Sequence, residues 1–107
     1  MARAKSPPRT AAPLLGAHVS IAGGTREAPP RAKRIGATAM QIFTKMTNRW
    51  AERACEGDEC KAFRAGLDDA GVSVVSAHDS YLINLASPDA VLRARSLDSF
   101  VLELRRC

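Results

Sequence analysis

Three short runs of apolar residues, each followed by a longer polar or amphipathic stretch, divide most of the chain into repeating parts. The runs cover residues 14–19, 38–43 and 72–77, and the first of them is continuous rather than alternating. A continuous run of this length is typical of a strand that is buried on both faces of a parallel sheet. Residues 1–12 combine basic residues with two adjacent prolines and have no periodicity. We predict that they form a disordered tail.

Helical patterns follow the first two predicted strands. Pro29 and Pro30 fit only the first turn of a helix, because an interior proline breaks the backbone hydrogen bonding. The first helix is therefore expected at residues 28–35. A second helix is predicted at residues 58–70, where apolar residues recur at helical spacing and Gly71 follows as a stop signal.

A third, longer helix is predicted near the end of the chain. Ser87 has the side chain of an N-cap residue, and Pro88 suits the first helical position. Apolar residues then recur every three or four positions, which predicts one buried face. That face would consist of Leu92 or Arg93, Leu97, Phe100, Val101 and Leu104. The polar stretch at residues 51–55 is also compatible with a short helix.

The alternation of strands and helices predicts an α/β fold built from βα units. Three successive units would place parallel strands in the order 1-2-3, with all three helices on one face of the sheet. Nothing would then cover the opposite face, and both edge strands would be open to self-association. An eight-unit barrel removes these edges by closing on itself, at about 250 residues. We therefore predict that residues 13–107 are the N-terminal part of a (β/α)8 TIM barrel.

Charge and composition narrow the class of protein only a little. The formal net charge is +5 and the isoelectric point is about 9.6, which favours a polyanionic partner such as nucleic acid. No apolar run approaches the roughly 20 residues of a membrane span, and the N-terminus has no apolar signal core. We expect a cytoplasmic protein with no membrane partner. Cys55 and Cys60 are interpreted as reduced thiols, because a zinc site would need two further ligands.

Candidate chemistry falls where the predicted strands end. The active site of a βα barrel lies at the carboxyl ends of its strands, and both histidines of the chain, His18 and His78, are found there. A histidine at such a position suits a metal ligand or an acid–base group, but also a hydrogen-bonded core residue. Position alone leaves both interpretations open. Asp79, next to His78, is a candidate acceptor for that imidazole or a cap for the following loop.

The loops beyond the strand ends carry groups suited to nucleic acid. Tyr81 and Leu82 lie side by side and have the character of a wedge that enters a base stack. Lys45, Arg49 and Trp50 make a basic loop with one aromatic residue, suited to phosphate contact. Packing against neighbouring loops accounts for the first pair equally well, and a solvated loop with an anchoring tryptophan accounts for the second group.

Three segments, taken together, carry a family resemblance. They are residues 16–24 (GAHVSIAGG), residues 41–45 (QIFTK) with Trp50 closing the loop, and residues 78–85 (HDSYLINL). Their order and spacing resemble those of endonuclease IV, and the third segment is the most specific. The resemblance covers about residues 14–107.

This resemblance implies an apurinic/apyrimidinic (AP) endonuclease of base excision DNA repair. Such an enzyme has a trinuclear zinc site and hydrolyses the phosphodiester bond 5′ to an abasic site in double-stranded DNA. Zinc would lower the pKa of a bound water and stabilise the attacking and leaving oxygens. His78 matches a zinc ligand of the family, whereas His18 matches a histidine near the metal centre that we do not assign as a ligand. Tyr81 and Leu82 match a wedge that fills the gap left by a flipped nucleotide.

The match also has departures and one large omission. The family's second loop usually carries an arginine that inserts into DNA, and Asn48 occupies the matching position. Arg49, one residue later, is a candidate substitute, although its direction would differ. The other zinc ligands of the family lie on strands beyond residue 107. One imidazole does not make up a zinc site, which takes three or four protein ligands. We therefore expect this chain to be truncated and inactive on its own.

Two other classes of function remain open. A metal-dependent sugar isomerase or epimerase shares the barrel type and the metal-binding strand ends, although a sugar pocket has no need of a Tyr-Leu wedge. A non-catalytic DNA-binding remnant would use the basic tail and the loops without metal. Zinc content separates that remnant from the nuclease.

Overall fold

A computed structural model describes residues 13–54 and 56–107, and these residues form a three-stranded sheet with three helices. A 3-10 turn at Thr25–Glu27 precedes the first helix. The elements are β1 (Gly16–His18), α1 (Ala28–Arg34), β2 (Ala39–Phe43), α2 (Gly57–Ala70), β3 (Val74–His78) and α3 (Ala90–Arg106). The predicted α/β class and the three βα units are confirmed. The predicted tail, residues 1–12, lies outside the described residues.

The three strands form one parallel sheet in the order β1-β2-β3, as predicted. Phe43 pairs with His78 in the register of β2 and β3, and Gly16 pairs with Ala39 in that of β1 and β2. The backbones of β1 and β2 approach so closely that a Cβ on Gly16 would lie 1.6 Å from the Ala39 carbonyl oxygen. His18, Phe43 and His78 are the last residues of their strands. The parallel order therefore brings all three to one edge of the sheet.

One face of the sheet is covered by helices and carries the core. Met40 and Ile42 of β2 are each 4% exposed and belong to this core. Phe63 and Leu67 of α2 pack against it. Two alanines of α1 are fully buried, so this helix lies directly on the core. The buried apolar residues are Val19, Ala28, Ala32, Ala37, Met40, Ile42 and Val72.

The opposite face of the sheet is open in the described residues. Side chains alternate between the two faces of a strand, so the residues between the core positions of β2 and β3 point to this side. Val74 is 45% exposed there, although valine is among the most buried residue types. The predicted uncovered face is thus present in the part of the chain that the structure describes.

The prolines limit the first helix as the sequence predicts. Pro29 and Pro30 lie in the first turn of α1, which ends one residue before the predicted boundary. Pro29 is fully buried and faces α2 at Gly66, where an added Cβ would lie 3.2 Å from the proline ring. The second helix ends at Ala70 as predicted, and Gly71 follows it with a φ of 69°, which glycine adopts without a steric cost.

The start of α3 differs from the prediction. Asp89 is the N-cap, because its Oδ1 accepts a hydrogen bond from the Leu92 amide at 2.8 Å. Ser87, the predicted N-cap, instead accepts from the Asp89 amide at 3.2 Å. The hydroxyl of Ser87 thus supports the turn ahead of the helix, and Pro88 lies in that turn rather than in the helix.

The predicted apolar face of α3 is wrong for Leu97, Val101 and Leu104, which are exposed, whereas Leu92 and Phe100 are half-buried. The buried residues of this helix are Ser96, Ser99 and Glu103, while Leu97 and Leu104 are 54% and 59% exposed. The physical reason is the partner: the buried face of α3 contacts polar side chains of the segment after β2 rather than the apolar surface of the sheet. Helical periodicity located the helix but chose the wrong side of it.

Three smaller expectations have mixed outcomes. Residues 51–54 have no helix, so the short helix at residues 51–55 is wrong there, and Cys55 lies outside the described residues. Cys60 is disulfide-bonded, so its interpretation as a reduced thiol is wrong, whereas Cys107 is a free, exposed thiol. No helix in the described ranges is both long and apolar enough to cross a membrane.

Candidate functional site at the strand ends

Four aromatic rings meet where the strands end, and we call His18, Phe43, His78 and Tyr81 the ring cluster. Phe43 lies between the two histidines, with ring centroids 4.6 Å from His18 and 4.8 Å from His78. The two imidazoles are 6.0 Å apart. Tyr81 packs edge-on at 5.4 Å from Phe43 and 5.7 Å from His78. The predicted site histidines are therefore neighbours, joined by a phenylalanine.

Phe43 was not identified as a site residue from the sequence. A phenylalanine in an apolar run is normally a core residue, so its type gives no functional signal. Its position does, because Phe43 ends β2 and pairs with His78 across the parallel register. The position of Phe43 at the end of its predicted strand was therefore the signal in the sequence that could have identified it as a site residue.

His78 is held in one orientation by its neighbour in sequence. Its Nδ1 lies 2.7 Å from the carbonyl oxygen of Asp79. A carbonyl oxygen only accepts, so Nδ1 carries the proton of this hydrogen bond. Nε2 is then the ring nitrogen left to bind a metal, and a hydrogen bond from the other nitrogen to a carbonyl is the usual arrangement of a metal-binding histidine.

The carboxylate of Asp79 has a different environment from the one we expected. The contact with His78 is made by the backbone carbonyl of Asp79, so the residue is an acceptor for this imidazole through its main chain. Burial raises the pKa of the Asp79 carboxyl, and Glu103 of α3 raises it further against the opposite influence of His78.

Tyr81 and Leu82 follow on a turn that Ser80 organises. Ser80 is 5% exposed; its hydroxyl donates to the Thr47 carbonyl at 2.8 Å and accepts from the Leu82 amide at 3.3 Å. Tyr81 is 70% exposed, while Leu82 is half-buried. The pair therefore presents one exposed aromatic ring with an aliphatic side chain beside it.

The basic residues of the segment after β2 differ in their exposure to solvent. Lys45 is only 4% exposed, and its ammonium donates to Glu52 at 3.0 Å and to Ser99 of α3 at 3.2 Å. In this arrangement it has no surface to offer a phosphate, and its role in DNA contact stays a prediction. Arg49 is exposed. Trp50 is anchored, because the guanidinium of Arg95 lies 4.5 Å from its ring centre.

The described residues fit a zinc site in type but not in number. His78 offers an imidazole nitrogen and His18 lies beside it, yet no group of three or more His, Cys, Asp or Glu residues that could hold a metal occurs within residues 13–54 and 56–107. Zinc needs three or four protein ligands. A complete metal centre would require groups from outside this part of the chain.

Comparison with known proteins identifies the fold family. Residues 29–107 match the family described as "Xylose isomerase-like TIM barrel". The chain belongs to this family. Its three βα units correspond to the start of the barrel, and the prediction of a partial TIM barrel is confirmed.

The individual relatives agree with the motif resemblance. "Probable endonuclease 4" of Geobacter sulfurreducens is 44% identical over 93 residues, which cover 87% of this chain and 31% of the relative. A protein of the same name from Chlorobium phaeobacteroides is 47% identical over 94 residues, 86% of this chain and 33% of the relative. The crystal structure of endonuclease IV from Thermus thermophilus superposes with a TM-score of 0.76 at 36% identity, covering 86% of this chain and 35% of that one.

The matched segment makes up most of this chain but only a small part of each relative. Nearly all of the described chain is matched, but the chain spans only about a third of the length of the relatives. The resemblance to endonuclease IV is therefore confirmed for the segment in hand.

Proposed function

We propose that this chain is the N-terminal part of a zinc-dependent AP endonuclease that hydrolyses the phosphodiester bond 5′ to abasic sites in double-stranded DNA. The observation that carries the proposal is the ring cluster: at the strand ends the Asp79 carbonyl holds Nδ1 of His78 at 2.7 Å, and the exposed Tyr81 stands beside the imidazole. This is the end of a βα barrel where active sites lie. The names of the relatives support the same class of enzyme.

Each site residue has a distinct role in this proposal. His78 supplies one zinc ligand, and His18 lies near the metal centre without binding it. Tyr81 and Leu82 enter the base stack when the abasic nucleotide is flipped out. Arg49 contacts the phosphate backbone from the neighbouring loop. When bound, zinc supplies an activated water and stabilises the charge on the reacting phosphate.

A chimeric enzyme tests the proposed activity. Residues 13–107 would replace the matching third of Thermus thermophilus endonuclease IV, and cleavage of an abasic duplex would be measured with and without chelator. We expect chelator-sensitive cleavage 5′ to the lesion, and its loss with His78→Ala. The matched control is His18→Ala, which should retain bound zinc. A folded, zinc-loaded chimera that leaves the duplex intact would refute the proposal.

The isolated chain tests the expectation that it is inactive alone. Purified 107-residue protein should bind less than one zinc per chain and should not cleave abasic DNA, because the described residues hold no complete ligand set. Stoichiometric zinc with chelator-sensitive cleavage by this chain would overturn that expectation. Abasic-duplex binding without zinc would instead favour the non-catalytic DNA-binding remnant.

The wedge assigned to Tyr81 and Leu82 separates DNA repair from sugar chemistry. In the chimera, changing both residues to alanine should weaken binding to abasic duplex far more than binding to intact duplex. Unstacking costs a few kcal/mol per step, and the wedge must offset about that amount. Equal losses on both duplexes would reduce the pair to loop packing. Isomerisation of a free sugar by the zinc-loaded chimera would favour the sugar isomerase or epimerase.

Self-association and location complete the proposal. β1 and β3 form the two edges of the sheet, and one sheet face is open in the described residues. Exposed strand edges pair with other chains, so we propose that the isolated chain associates through them in the cytoplasm. Sedimentation of the purified chain over a concentration series measures this. A monomer at all concentrations would contradict it.

A further inference from the structure

We call the segment that follows β2, residues 44–54, the β2 loop. Among its contacts with other elements, two ties flank Arg49. The first tie is the Lys45 ammonium, which is buried between Glu52 of the same loop and Ser99 of α3. A lysine ammonium leaves water at a large cost unless it is paired and hydrogen-bonded. Both conditions are met here, so the contacts with Glu52 and Ser99 offset the cost of burying the Lys45 ammonium.

Glu52 is the centre of this first tie. One of its oxygens accepts from Lys45 and from the Ser99 hydroxyl at 3.0 Å, and the other accepts from Arg106 of α3 at 2.5 Å. Burial alone would raise the pKa of Glu52, but the hydrogen bonds from Lys45, Arg106 and Ser99 together lower it. The carboxylate therefore stays charged. We call these four residues, Lys45, Glu52, Ser99 and Arg106, the Glu52 clasp.

The second tie joins the β2 loop to the turn that carries Tyr81. The carbonyl of Thr47 accepts from the Ser80 hydroxyl at 2.8 Å and from the Tyr81 amide at 3.2 Å. Arg49 lies between the two ties and is exposed. The β2 loop is thus held by α3 on one side and by the Tyr81 turn on the other.

We propose that Lys45 is a positioning residue that, through the Glu52 clasp, fixes the β2 loop on α3 and thereby sets the placement of Arg49 relative to Tyr81. The clasp itself is independent of any activity. Its use in DNA recognition rests on the proposed function, which takes Arg49 and Tyr81 as DNA contacts. A lysine in the loop then serves the phosphate contact indirectly, by holding its neighbour in place.

This proposal and direct phosphate contact by Lys45 predict different results. When a lysine neutralises a phosphate, its removal lowers the slope of log affinity against log salt concentration by about one. A positioning lysine leaves that slope unchanged, because its charge is already paired within the protein. Its loss instead removes the buried link between the β2 loop and Ser99 of α3 and so loosens the loop there.

The chain contains a built-in reporter for the position of the loop. Trp50 is the one tryptophan and Tyr81 the one tyrosine of the sequence, and they lie on the two loops that the second tie connects. Energy transfer from Tyr81 to Trp50 therefore reports the separation of these loops. Quenching of Trp50 by acrylamide reports whether the β2 loop stays docked beside Arg95.

The experiment compares Lys45→Met with Lys61→Met in the 107-residue chain. Lys61 is exposed on α2, so it is a matched control for loss of one lysine charge. We expect Lys45→Met to increase quenching of Trp50 and to reduce the transfer from Tyr81 while far-UV circular dichroism is unchanged. The control should leave both signals as they are. Unchanged fluorescence in a folded Lys45→Met variant would overturn the proposal.

Two further variants keep the test decisive. If Lys45→Met does not fold, Glu52→Gln removes the charge of the clasp at nearly constant shape and should give the same fluorescence changes; unchanged signals would refute the clasp. In the duplex-binding arm, which uses the zinc-loaded chimera and an abasic duplex, Arg49→Met should lower the salt slope by about one and Lys45→Met should not. A lowered slope for Lys45→Met would establish direct phosphate contact instead. Absence of DNA binding by every form would count against the proposed function, and the fluorescence arm would still decide the clasp.

Discussion

The first two helices and the third helix are held in the molecule in opposite ways. We call α1 and α2, with the sheet core they cover, the first half, and α3 with the β2 loop it contacts the second half. Helices α1 and α2 pack through apolar and small side chains, with Ala32 fully buried and Pro29 seated against α2. Helix α3 turns Ser96 and Glu103 inward, at 0% and 3% exposure. It leaves Leu97 and Leu104, which we call the leucine stripe, exposed. The first half is held by removal of apolar surface from water, and the second by ion pairs and hydrogen bonds.

Apolar packing and polar packing contribute different properties to the fold. Apolar packing is non-directional, so it stabilises the sheet but tolerates small shifts of one element over another. A buried ion pair adds little net stability, because desolvation offsets most of the attraction, yet it is broken at a high cost when one partner is lost. We therefore expect α1 and α2 to determine the stability of the fold, and α3 to determine the position of the loops at the ring cluster.

The largest effect is expected in the apolar half. Ile42→Ala should lower the free energy of unfolding by about 2–4 kcal/mol, since it removes a buried side chain and leaves a cavity. The matched control is Leu97→Ala on the exposed stripe of α3, for which a change within about 0.5 kcal/mol is expected. Urea denaturation followed by circular dichroism measures both. Equal losses would mean that the leucine stripe is buried in solution and that the comparison fails.

Glu103 tests the polar half. Its carboxylate accepts from Thr44 and from Arg106, the latter at 2.5 Å, so Glu103→Ala leaves a buried guanidinium with fewer partners. We expect a loss of about 2–3 kcal/mol in the free energy of unfolding. Asp98→Ala, an exposed acid on the same helix, should change stability by less than about 0.5 kcal/mol. If both variants unfold at the same urea concentration, α3 is not held by charge.

One polar contact inside the first half gives a pH test. Hydrogen bonds from Thr25 and then Arg53 lower the pKa of Glu59 from 4.5 to about 2. A depressed carboxyl pKa gives stability above the unfolded value that is lost as the pH falls through the folded one. With Arg53 partly exposed, we expect about 1–2 kcal/mol. Glu59→Gln should therefore be destabilising at pH 7 and nearly neutral at pH 2. A constant difference between the two proteins across that range would exclude this linkage.

The smallest expected effect concerns the start of α3. Asp89→Ala should lower the free energy of unfolding by about 1 kcal/mol, because it removes the acceptor of the Leu92 amide. Asp89→Asn keeps an acceptor at the same place and should retain most of the stability. Should the alanine and asparagine variants unfold together, the cap contributes nothing, and the helix is placed by its buried polar face alone.

Much of the fold was available in the sequence because it depends on local rules. Pro29 and Pro30 fix where a helix can begin, and Gly71 marks where the next one ends, since both signals act within a few residues. The apolar runs locate the strands, and the alternation of strand and helix gives a parallel order. The motif at residues 78–85 points to His78 and Tyr81 in another way, through its resemblance to endonuclease IV.

The packing of α3 was decided only by tertiary structure. A helical pattern of leucines predicts a buried stripe when the partner is apolar. The partner of α3 is instead the β2 loop, whose Thr44 and Lys45 donate hydrogen bonds to α3 and whose Glu52 accepts one from it. The same partnership buries Lys45, which looks like a free phosphate contact in the sequence. The place of Phe43 between His18 and His78 likewise depends on strand register, a long-range property. Sequence periodicity describes the surface of one element, whereas burial is decided by the element that faces it.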